Sequence, residues 1–458
     1  MRCSIPREEI NRSDIDGRCT AAPPRAARAL QLVLRLLLLL ALIYGIYQVV
    51  RRAAASWFVS RAIRAASQPG NASPEIADNL RRAMQWDPDD PRHPALLARA
   101  MQFSLEGGDI ADVLRLSERA ATLGLHRAGV WVNLGAAYEW ASHAAAAQRA
   151  YARALALFPN SPEINWQLGN YALRSDRIHE AAAYLRTCVL RDAALRRPAF
   201  DLAWRATSDA AFVLNEVVPP ETHALLAYLD YLSETARLDA AADVWARLRD
   251  AGLAFEPNVA FRYLDALIEH RRIAELDAAW TALAARYPDK LPQRGPGENL
   301  MVNGDFETAP VNGGLDWRVM KAPGVVVRTV SSVFYSGGRS LEIEFADTEN
   351  ISYGQVVQFV PVRPRTRYRF SAYLRAEGIT TDSGPRLQIH EPHNPTSPPV
   401  TLPQVMGKTS WTAATAEFVT GPQTTLLTVR VVRLPSEKFL KQFRGTVWLD
   451  HLSLVSIP

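Results

Sequence analysis

The chain has 458 residues, a formal net charge of +5, 48% hydrophobic residues and 22% charged residues. This length exceeds what one compact core usually organises, so two or three domains are expected, and the composition excludes a largely disordered chain. The positive charge is spread among alanines without a basic stripe interleaved with aromatics, so no nucleic-acid partner is expected. The three cysteines, Cys3, Cys19 and Cys188, provide neither a disulfide framework nor a CxxC metal pair.

The first predicted element is a membrane-spanning helix over 29–50, which reads ALQLVLRLLLLLALIYGIYQVV. The run is long enough to cross a hydrocarbon core of about 30 Å, and Arg35 near its start can extend its side chain to the headgroups. A cleaved signal peptide is the alternative, because 53–55 is an alanine triplet that resembles a cleavage site. Arg51 and Arg52 separate that triplet from the apolar run and favour an uncleaved anchor.

More arginines precede the apolar run than closely follow it, which places the N-terminus inside the cell. We therefore expect residues 1–28 to form a cytoplasmic polar head and 51–72 to form a linker or helical stalk. The bulk of the chain is then periplasmic or extracytoplasmic. This topology is that of a single-pass protein of the bacterial inner membrane.

Residues 73–290 show apolar residues at helical spacing, with one stretch of a recognisable repeat. Leu168-Gly169 recurs about 34 residues after Leu134-Gly135, which is the tetratricopeptide period. The region resembles the tetratricopeptide-repeat family, which implies a solenoid of paired helices. The residues that carry the resemblance, and that are expected to pack the helices of one repeat, are Trp131, Leu134, Gly135, Tyr138, Ala147, Tyr151, Ala154 and Pro159.

Residues 197–222 fit the repeat pattern poorly, and Pro219-Pro220 interrupts it. We expect roughly five or six helix pairs with one irregular step. The resemblance implies that a protein partner, whose identity the sequence does not give, binds the groove formed by the first helices of the pairs.

A Pro- and Gly-containing linker over 291–298 is predicted to lead into a second kind of domain at 299–458. There the hydrophobic pattern changes to period two, with turn residues about every ten positions, which predicts a β-sandwich or jelly roll. The whole chain is thus predicted to be a multidomain α plus β protein: a transmembrane helix, a tetratricopeptide-like α-solenoid and a C-terminal β-sandwich.

The start of this domain reads NLMVNGDFE over 299–307, with Trp317 after it, and its end reads GTVWLDHLSL over 445–454. This ordered set resembles the carbohydrate-binding-module jelly rolls attached to bacterial glycoside hydrolases. The resemblance implies a structural calcium held by Glu307 and Asp450, since calcium takes carboxylate and carbonyl oxygens. His451 stands where the family often has another acidic or amide residue. No other cofactor is expected.

The resemblance also implies sugar binding on the exposed face of one sheet. Strand alternation turns polar and aromatic side chains away from the core at one set of positions. The candidate glycan-binding residues are Tyr373, Arg375, Arg386, Gln388, His390 and Arg430. The alternative is a solvated outer face without a ligand. Trp317, Trp411 and Trp448 are expected to be core or hinge aromatics rather than sugar platforms.

We expect no enzymatic activity, because the sequence contains no phosphate-binding loop, nucleotide fingerprint or nucleophile elbow. The segment from His390 to His393 misses a zinc motif by spacing, and Pro392 would break the helix that this motif needs. Three hypotheses stay open. The first is a membrane-anchored scaffold that binds a protein and a glycan, in cell-envelope polysaccharide synthesis or export. The second is a glycan-active hydrolase or lyase, and the third is a β-sandwich that only caps the solenoid.

Overall fold

The computed structural model describes residues 25–67, 73–103, 108–394, 396–437 and 442–458. Most of the predicted polar head therefore lies outside the described residues. The chain divides into two compact units, Met1–Gln167 and Leu168–Pro458. Helices fill the first unit and the beginning of the second, and a two-sheet antiparallel sandwich completes the second. The predicted fold class, helical array followed by β-sandwich, is confirmed.

The described helices range in length from three to 42 residues. Their bounds are α1 Arg25–Ala66, α2 Ser73–Trp86, α3 Arg92–Gln102, α4 Ile110–Leu123, α5 Ala128–Trp140, α6 Ala144–Leu157, α7 Pro162–Arg174, α8 Ile178–Arg191, α9 Ala193–Thr207, α10 Ala210–Phe212, α11 Thr222–Glu234, α12 Leu238–Asp250, α13 Phe261–Glu269 and α14 Ile273–Arg286.

Helix α1 continues without a break from the predicted membrane span into the first unit. Its apolar side chains between Leu30 and Val50 are exposed, for example Leu38 at 63%. Further along, Ala62 packs into a core with Ala77 and Leu80 of α2. Within the described residues, Leu32–Ala66 is the one helix whose length and composition suit a membrane span, and a signal sequence would also satisfy these two conditions.

The helix pair α5–α6 carries the residues of the predicted repeat. A Cβ at Gly135 would lie 2.7 Å from the Tyr151 ring, so this position of α5 has room for glycine only. Ala147 and Ala154 of α6 are fully buried. Helix α6 ends at Leu157, shortly before Pro159 in the following turn. The helix-pair architecture agrees with the pattern, while membership of the tetratricopeptide family stays a prediction.

The remaining repeat-packing residues lie on the same pair. Leu134 is buried, and Trp131 and Tyr138 are half-buried. Trp131 Nε1 donates a hydrogen bond to the Leu125 carbonyl at 3.1 Å, and the Tyr138 hydroxyl donates to Glu118 Oε1 at 2.8 Å. The two aromatic side chains thus connect α5 to the preceding turn and to α4.

The expected irregular step occurs after α9. A three-residue helix, α10, leads directly into a π-helix over Val213–Val217. Val213 and Val217 are fully buried, so the wider turn keeps apolar side chains in the core. The chain then passes Pro219-Pro220, which cannot donate backbone hydrogen bonds, before α11 restarts the regular pairing.

The β-sandwich contains two five-stranded antiparallel sheets. The strands are β1 Arg318–Val319, β2 Val325–Val330, β3 Ser340–Thr348, β4 Tyr353–Pro361, β5 Arg367–Ile379, β6 Arg386–His390, β7 Val400–Thr401, β8 Gly407–Val419, β9 Leu426–Arg433 and β10 Phe443–Ser456. The first sheet has the order β1-β4-β9-β6-β7, and the second has the order β2-β3-β10-β5-β8.

Alternating side chains of both sheets fill the sandwich core. Phe370 and Leu374 of β5 face Val429 and Val431 of β9, and all four are buried. Trp317 is also buried, and its Nε1 donates a hydrogen bond to the Asn303 carbonyl at 3.1 Å. This tryptophan therefore has the core role that the sequence predicts.

The segment predicted as a linker is packed in the structure. Leu291 is buried and Arg294 forms a β-bridge with Val302. Beyond it, Gly314 lies so close to α14 that a Cβ there would overlap the Trp280 ring. Arg318 of β1 forms an ion pair with Asp265 of α13. Within the second unit, the sandwich is therefore attached to the last helix pair by tight packing and an ion pair.

Candidate functional site

The six predicted glycan-binding residues do not form one face. Tyr373 and Arg375 lie on β5 of the second sheet, whereas Arg386, Gln388, His390 and Arg430 lie on β6 and β9 of the first sheet. All six alternate with core residues as predicted, but the chain changes sheets between β5 and β6. The expectation of a single surface is therefore wrong, because outward side chains of the two sheets point to opposite sides of the sandwich.

We call the outward group Arg386, Gln388, His390 and Arg430 the arginine face. At its centre, Arg430 of β9 pairs in register with Gln388 of β6. Arg430 donates to Gln388 Oε1 through Nε at 3.0 Å and Nη2 at 2.5 Å. Gln388 Nε2 donates in turn to Thr401 Oγ1 of β7 at 3.2 Å. These bonds fix the side chains of three neighbouring strands into one polar row.

The two ends of the arginine face differ in their surroundings. Arg386 donates hydrogen bonds to Gln404 and to Ser383, and burial lowers the pKa of its guanidinium. Burial, together with the nearby charge of Arg430, lowers the pKa of His390. His390 is therefore neutral at pH 7, and the arginines supply the positive charge of this face.

An aromatic cluster on the second sheet was not predicted as a unit. Tyr335, in the loop between β2 and β3, stacks on Tyr373 of β5 with ring centroids 3.6 Å apart and planes inclined by 13°. Trp411 of β8 approaches Tyr335 edge-on at 5.9 Å, and His451 of β10 lies 6.1 Å from it. We call these four residues the tyrosine face. A hydrogen bond with Tyr373 raises the pKa of the Tyr335 hydroxyl.

Trp448 and Arg375 extend the tyrosine face along the second sheet. Trp448 is nearly buried although it points outward, because the Arg375 guanidinium lies over its ring at 5.4 Å. Its Nε1 donates to Glu342 Oε2 at 2.8 Å. The Trp448 ring is thus covered by Arg375. Trp411, on the edge strand β8, is half-exposed. The sequence placed both among core or hinge aromatics.

The two predicted calcium ligands hold the loop that carries Tyr335. Asp450 Oδ2 accepts hydrogen bonds from the backbone N–H groups of Tyr335 and Ser336 at 2.7 and 2.9 Å. Glu307 Oε1 accepts those of Gly338 and Arg339 at 2.7 and 3.1 Å. The two carboxylates therefore fix the two ends of the loop over residues 335–339 by hydrogen bonds.

These contacts account for both carboxylates without a cation. Calcium takes six to eight oxygen ligands. Within the described ranges, no group of three or more His, Cys, Asp or Glu side chains is arranged to hold a metal. Calcium binding by Glu307 and Asp450, which would need further oxygen ligands such as backbone carbonyls, stays a prediction.

The helices of the first unit form a groove between α3, α5 and the start of α7. It has a volume of about 650 Å³ and is lined mainly by apolar side chains, including Leu96, Val132 and Ile164. Phe158 at its edge is 56% exposed. Arg92, Arg99 and Arg127 lie along the lining with one acidic side chain, Glu163, and Arg92 forms an ion pair with Asp90 at 2.6 Å. The groove thus combines an apolar floor with a positive rim.

Comparison with known proteins supports the carbohydrate-binding resemblance for part of the chain. Residues 298–436 match the family model described as a carbohydrate binding domain. The matched range holds all of the arginine face, together with Tyr335, Tyr373 and Trp411 of the tyrosine face. A search of curated proteins finds no match to this chain.

Solved structures resemble each part at low identity. The enzymatically active domain of bacteriophage CBA120 tailspike protein 4 has 12% identity and a TM-score of 0.28, with 36% of this chain and 22% of that chain covered. TmCBM61 in complex with β-1,4-galactotriose has 18% identity and a TM-score of 0.26, with 35% and 100% covered. Pseudomonas aeruginosa pilF has 16% identity and a TM-score of 0.28, with 52% and 94% covered.

The chain spans about a fifth of the tailspike domain that it matches, 22% of its length. The family match is confined to the sandwich, and the helical region lies before it. The C-terminal part of this protein is therefore a carbohydrate-binding-module domain, joined to a helical N-terminal and middle region.

Proposed function

We propose that this protein is a membrane-tethered scaffold whose β-sandwich binds an anionic glycan on the arginine face. The observation that carries the proposal is the fixed pair of Arg430 and Gln388 at the centre of that face. A guanidinium already held in place loses little conformational entropy when it pairs with a ligand carboxylate. Arg386, further along β6, adds a second guanidinium on the same side of the sheet.

The charge of the arginine face selects the class of glycan. Guanidinium groups form paired hydrogen bonds with carboxylates, and such charge-assisted bonds are stronger than neutral ones. A polysaccharide of uronic acids presents one carboxylate per sugar ring and suits a row of arginines. Since the pairs are partly exposed, added salt weakens the binding.

Calorimetry on the full chain in detergent micelles tests this proposal. The probes are an oligogalacturonate and a neutral xylo-oligosaccharide of equal length. Arg430→Gln is expected to weaken oligogalacturonate binding at least tenfold, since a charge-assisted hydrogen bond contributes about 1.5–3 kcal/mol. The matched control, Arg115→Gln, removes an exposed arginine on α4 and leaves binding unchanged. Equal effects of the two variants contradict the assignment of the site.

We propose that the sandwich binds its glycan without cleaving it. The hydrolase or lyase alternative predicts new reducing ends when the protein is incubated with polygalacturonate, and the binding proposal predicts none. The structural-cap alternative predicts that neither probe binds, although the attachment of the sandwich to α13 and α14 is compatible with both a cap and a binder.

The second half of the proposal assigns the groove of the first unit to a protein segment with apolar and acidic side chains. The apolar floor provides the contact area, and Arg99 and Arg127 complement acidic side chains. Fluorescence anisotropy with leucine–glutamate and leucine–lysine peptides tests the charge preference. Arg99→Glu is expected to reduce the advantage of the acidic peptide, and equal affinity of both peptides for the wild-type protein contradicts the assignment.

The setting proposed for these activities is the bacterial inner membrane, with α1 as an uncleaved anchor and the remaining chain outside the cytoplasm. The exposed apolar side chains between Leu30 and Val50 support an anchor. A polysaccharide synthesis or export complex of the cell envelope would bring together a glycan, a protein partner and a membrane.

A further inference from the structure

The tyrosine face has the construction of a binding platform rather than of an ordinary solvated surface. Tyr335 is 42% exposed although it is a large aromatic side chain. Its stack on Tyr373, with ring centroids 3.6 Å apart, covers one side of the ring. Trp411 stands at 61° to the Tyr335 ring and forms a wall beside it. Two aromatic surfaces at a steep angle thus form an open corner.

The backbone below this corner is held in place from several directions. Asp450 binds the N–H groups at Tyr335, and Glu307 binds those that follow Gly337. Gly337 has φ of +68°, a left-handed conformation that favours glycine and permits the tight turn. His451 also adopts a left-handed conformation, with φ of +53°, at the irregularity of β10. Because the loop is already ordered, less conformational entropy is lost when a ligand binds to it.

Polar groups at the edge of the corner suit a hydroxylated ligand. The Ser336 hydroxyl lies 3.2 Å from His451 Nδ1, and the Tyr335 hydroxyl is beside that of Tyr373. Aromatic rings carry negative charge on their faces and attract the weakly positive C–H bonds on the face of a pyranose.

We infer that the tyrosine face is a second sugar-binding site, which takes a neutral oligosaccharide by stacking one ring on Tyr335 against Trp411. This inference extends the proposed glycan binding to the opposite side of the sandwich. The two sites differ in chemistry, since the arginine face selects carboxylates and the tyrosine face selects the apolar side of a sugar ring. Salt therefore weakens binding at the first site and leaves binding at the second unchanged.

Calorimetry on the full chain in micelles with xylohexaose, cellohexaose and β-1,4-galactotriose tests the second site. Wild-type protein is expected to bind at least one of these neutral probes, with the same affinity at low and high salt. Tyr335→Leu, which keeps apolar volume but removes the ring, is expected to weaken that binding at least tenfold. Tyr335→Phe keeps the ring and is expected to retain affinity within about threefold, because only the hydroxyl is lost.

The variants also separate this inference from the proposed function. Arg430→Gln is expected to leave neutral-sugar binding intact while oligogalacturonate binding falls. Neutral binding that survives Tyr335→Leu, or that is lost in Arg430→Gln, overturns the second site. No binding of any neutral probe overturns it as well, whatever oligogalacturonate does. Thermal melting of each variant confirms that its fold is retained.

Discussion

Individual residues in this protein have roles set by how much room and water surround them. Gly135 and Asp316 illustrate the two cases. Gly135 is constrained by the space that the Tyr151 ring leaves, and Asp316 by the burial of its carboxyl group. Each role leads to a measurable effect on stability.

Gly135→Ala is expected to lower the free energy of unfolding by about 1–3 kcal/mol, because its Cβ would lie 2.7 Å from the Tyr151 ring. Gly129→Ala on the same helix is the matched control. A Cβ there meets no atom within 4 Å, and alanine favours helix by up to about 1 kcal/mol. Thermal or urea unfolding followed by circular dichroism distinguishes the two. Similar midpoints for both variants would mean that α5 and α6 do not pack as described.

Burial raises the pKa of Asp316 to about 6, above its unfolded value of about 3.9. The folded protein therefore binds a proton that the unfolded chain releases, so this group favours folding most below pH 4. Its contribution falls as pH rises from about 4 to 6, by about 3 kcal/mol at most.

Asp316→Asn removes this titration while its side-chain oxygen can still accept the Val311 N–H, a bond of 2.7 Å in the native protein. We expect the stability of wild-type protein, relative to the variant, to decrease between pH 4 and 6 and to level off above. Chemical unfolding at a series of pH values measures this difference. Parallel stability profiles would show that Asp316 titrates normally.

At the scale of elements, strand alternation predicted which side chains point outward but not on which sheet they lie. The burial of Phe370, Leu374, Val429 and Val431 follows directly from period two. The crossing from β5 to β6 carries no such periodic signal, since alternation is identical in either sheet. The single glycan face was wrong for this reason alone.

Tyr335 was missed because its importance depends on a distant partner. It lies in a loop, where no periodicity assigns a direction, and it stacks on a residue of β5. Helix pairing around Trp131 and Gly135 was predictable, by contrast, because the repeat spacing is local and characteristic. Local patterns therefore predicted the helices and strands, whereas contacts between distant residues determine which side chains lie together on each face.

The junction between α14 and the sandwich depends on Gly314, which has φ of +57° and lies against Trp280. Gly314→Ala would place a methyl group in the tryptophan ring and strain the backbone. We expect a lower melting temperature and faster tryptic cleavage near Arg286, Lys290 and Arg294.

Gly354→Ala on β4 is the control for the junction, since a Cβ at that position has open space around it. This variant should keep the wild-type cleavage rate. Unchanged cleavage in both variants would show that the sandwich is not held by contact with the last helix pair.

At the scale of the whole molecule, the long N-terminal helix α1 is the proposed membrane anchor. We expect the full-length chain to remain in the membrane pellet after carbonate extraction. Leu39→Arg in the exposed apolar run should increase release, because an arginine at the centre of a span costs about 2.5–3.5 kcal/mol. Leu125→Arg, at a position outside α1 that is 52% exposed, is the matched control. Release of wild-type protein, or a mature N-terminus near Ser56, would contradict an uncleaved anchor.

The continuity of α1 has a mechanical consequence for a protein so anchored. The helix has 42 residues and is about 60 Å long at about 1.5 Å per residue. Directly after the apolar run, Arg51 forms an ion pair with Asp87 at 2.9 Å, at the end of α2. A flexible tether would let the first unit sample a hemisphere above the bilayer. A continuous helix clamped at its exit instead makes the tilt of that unit follow the tilt of the anchor. A force applied by a partner at the groove would then be transmitted through α1 to the membrane.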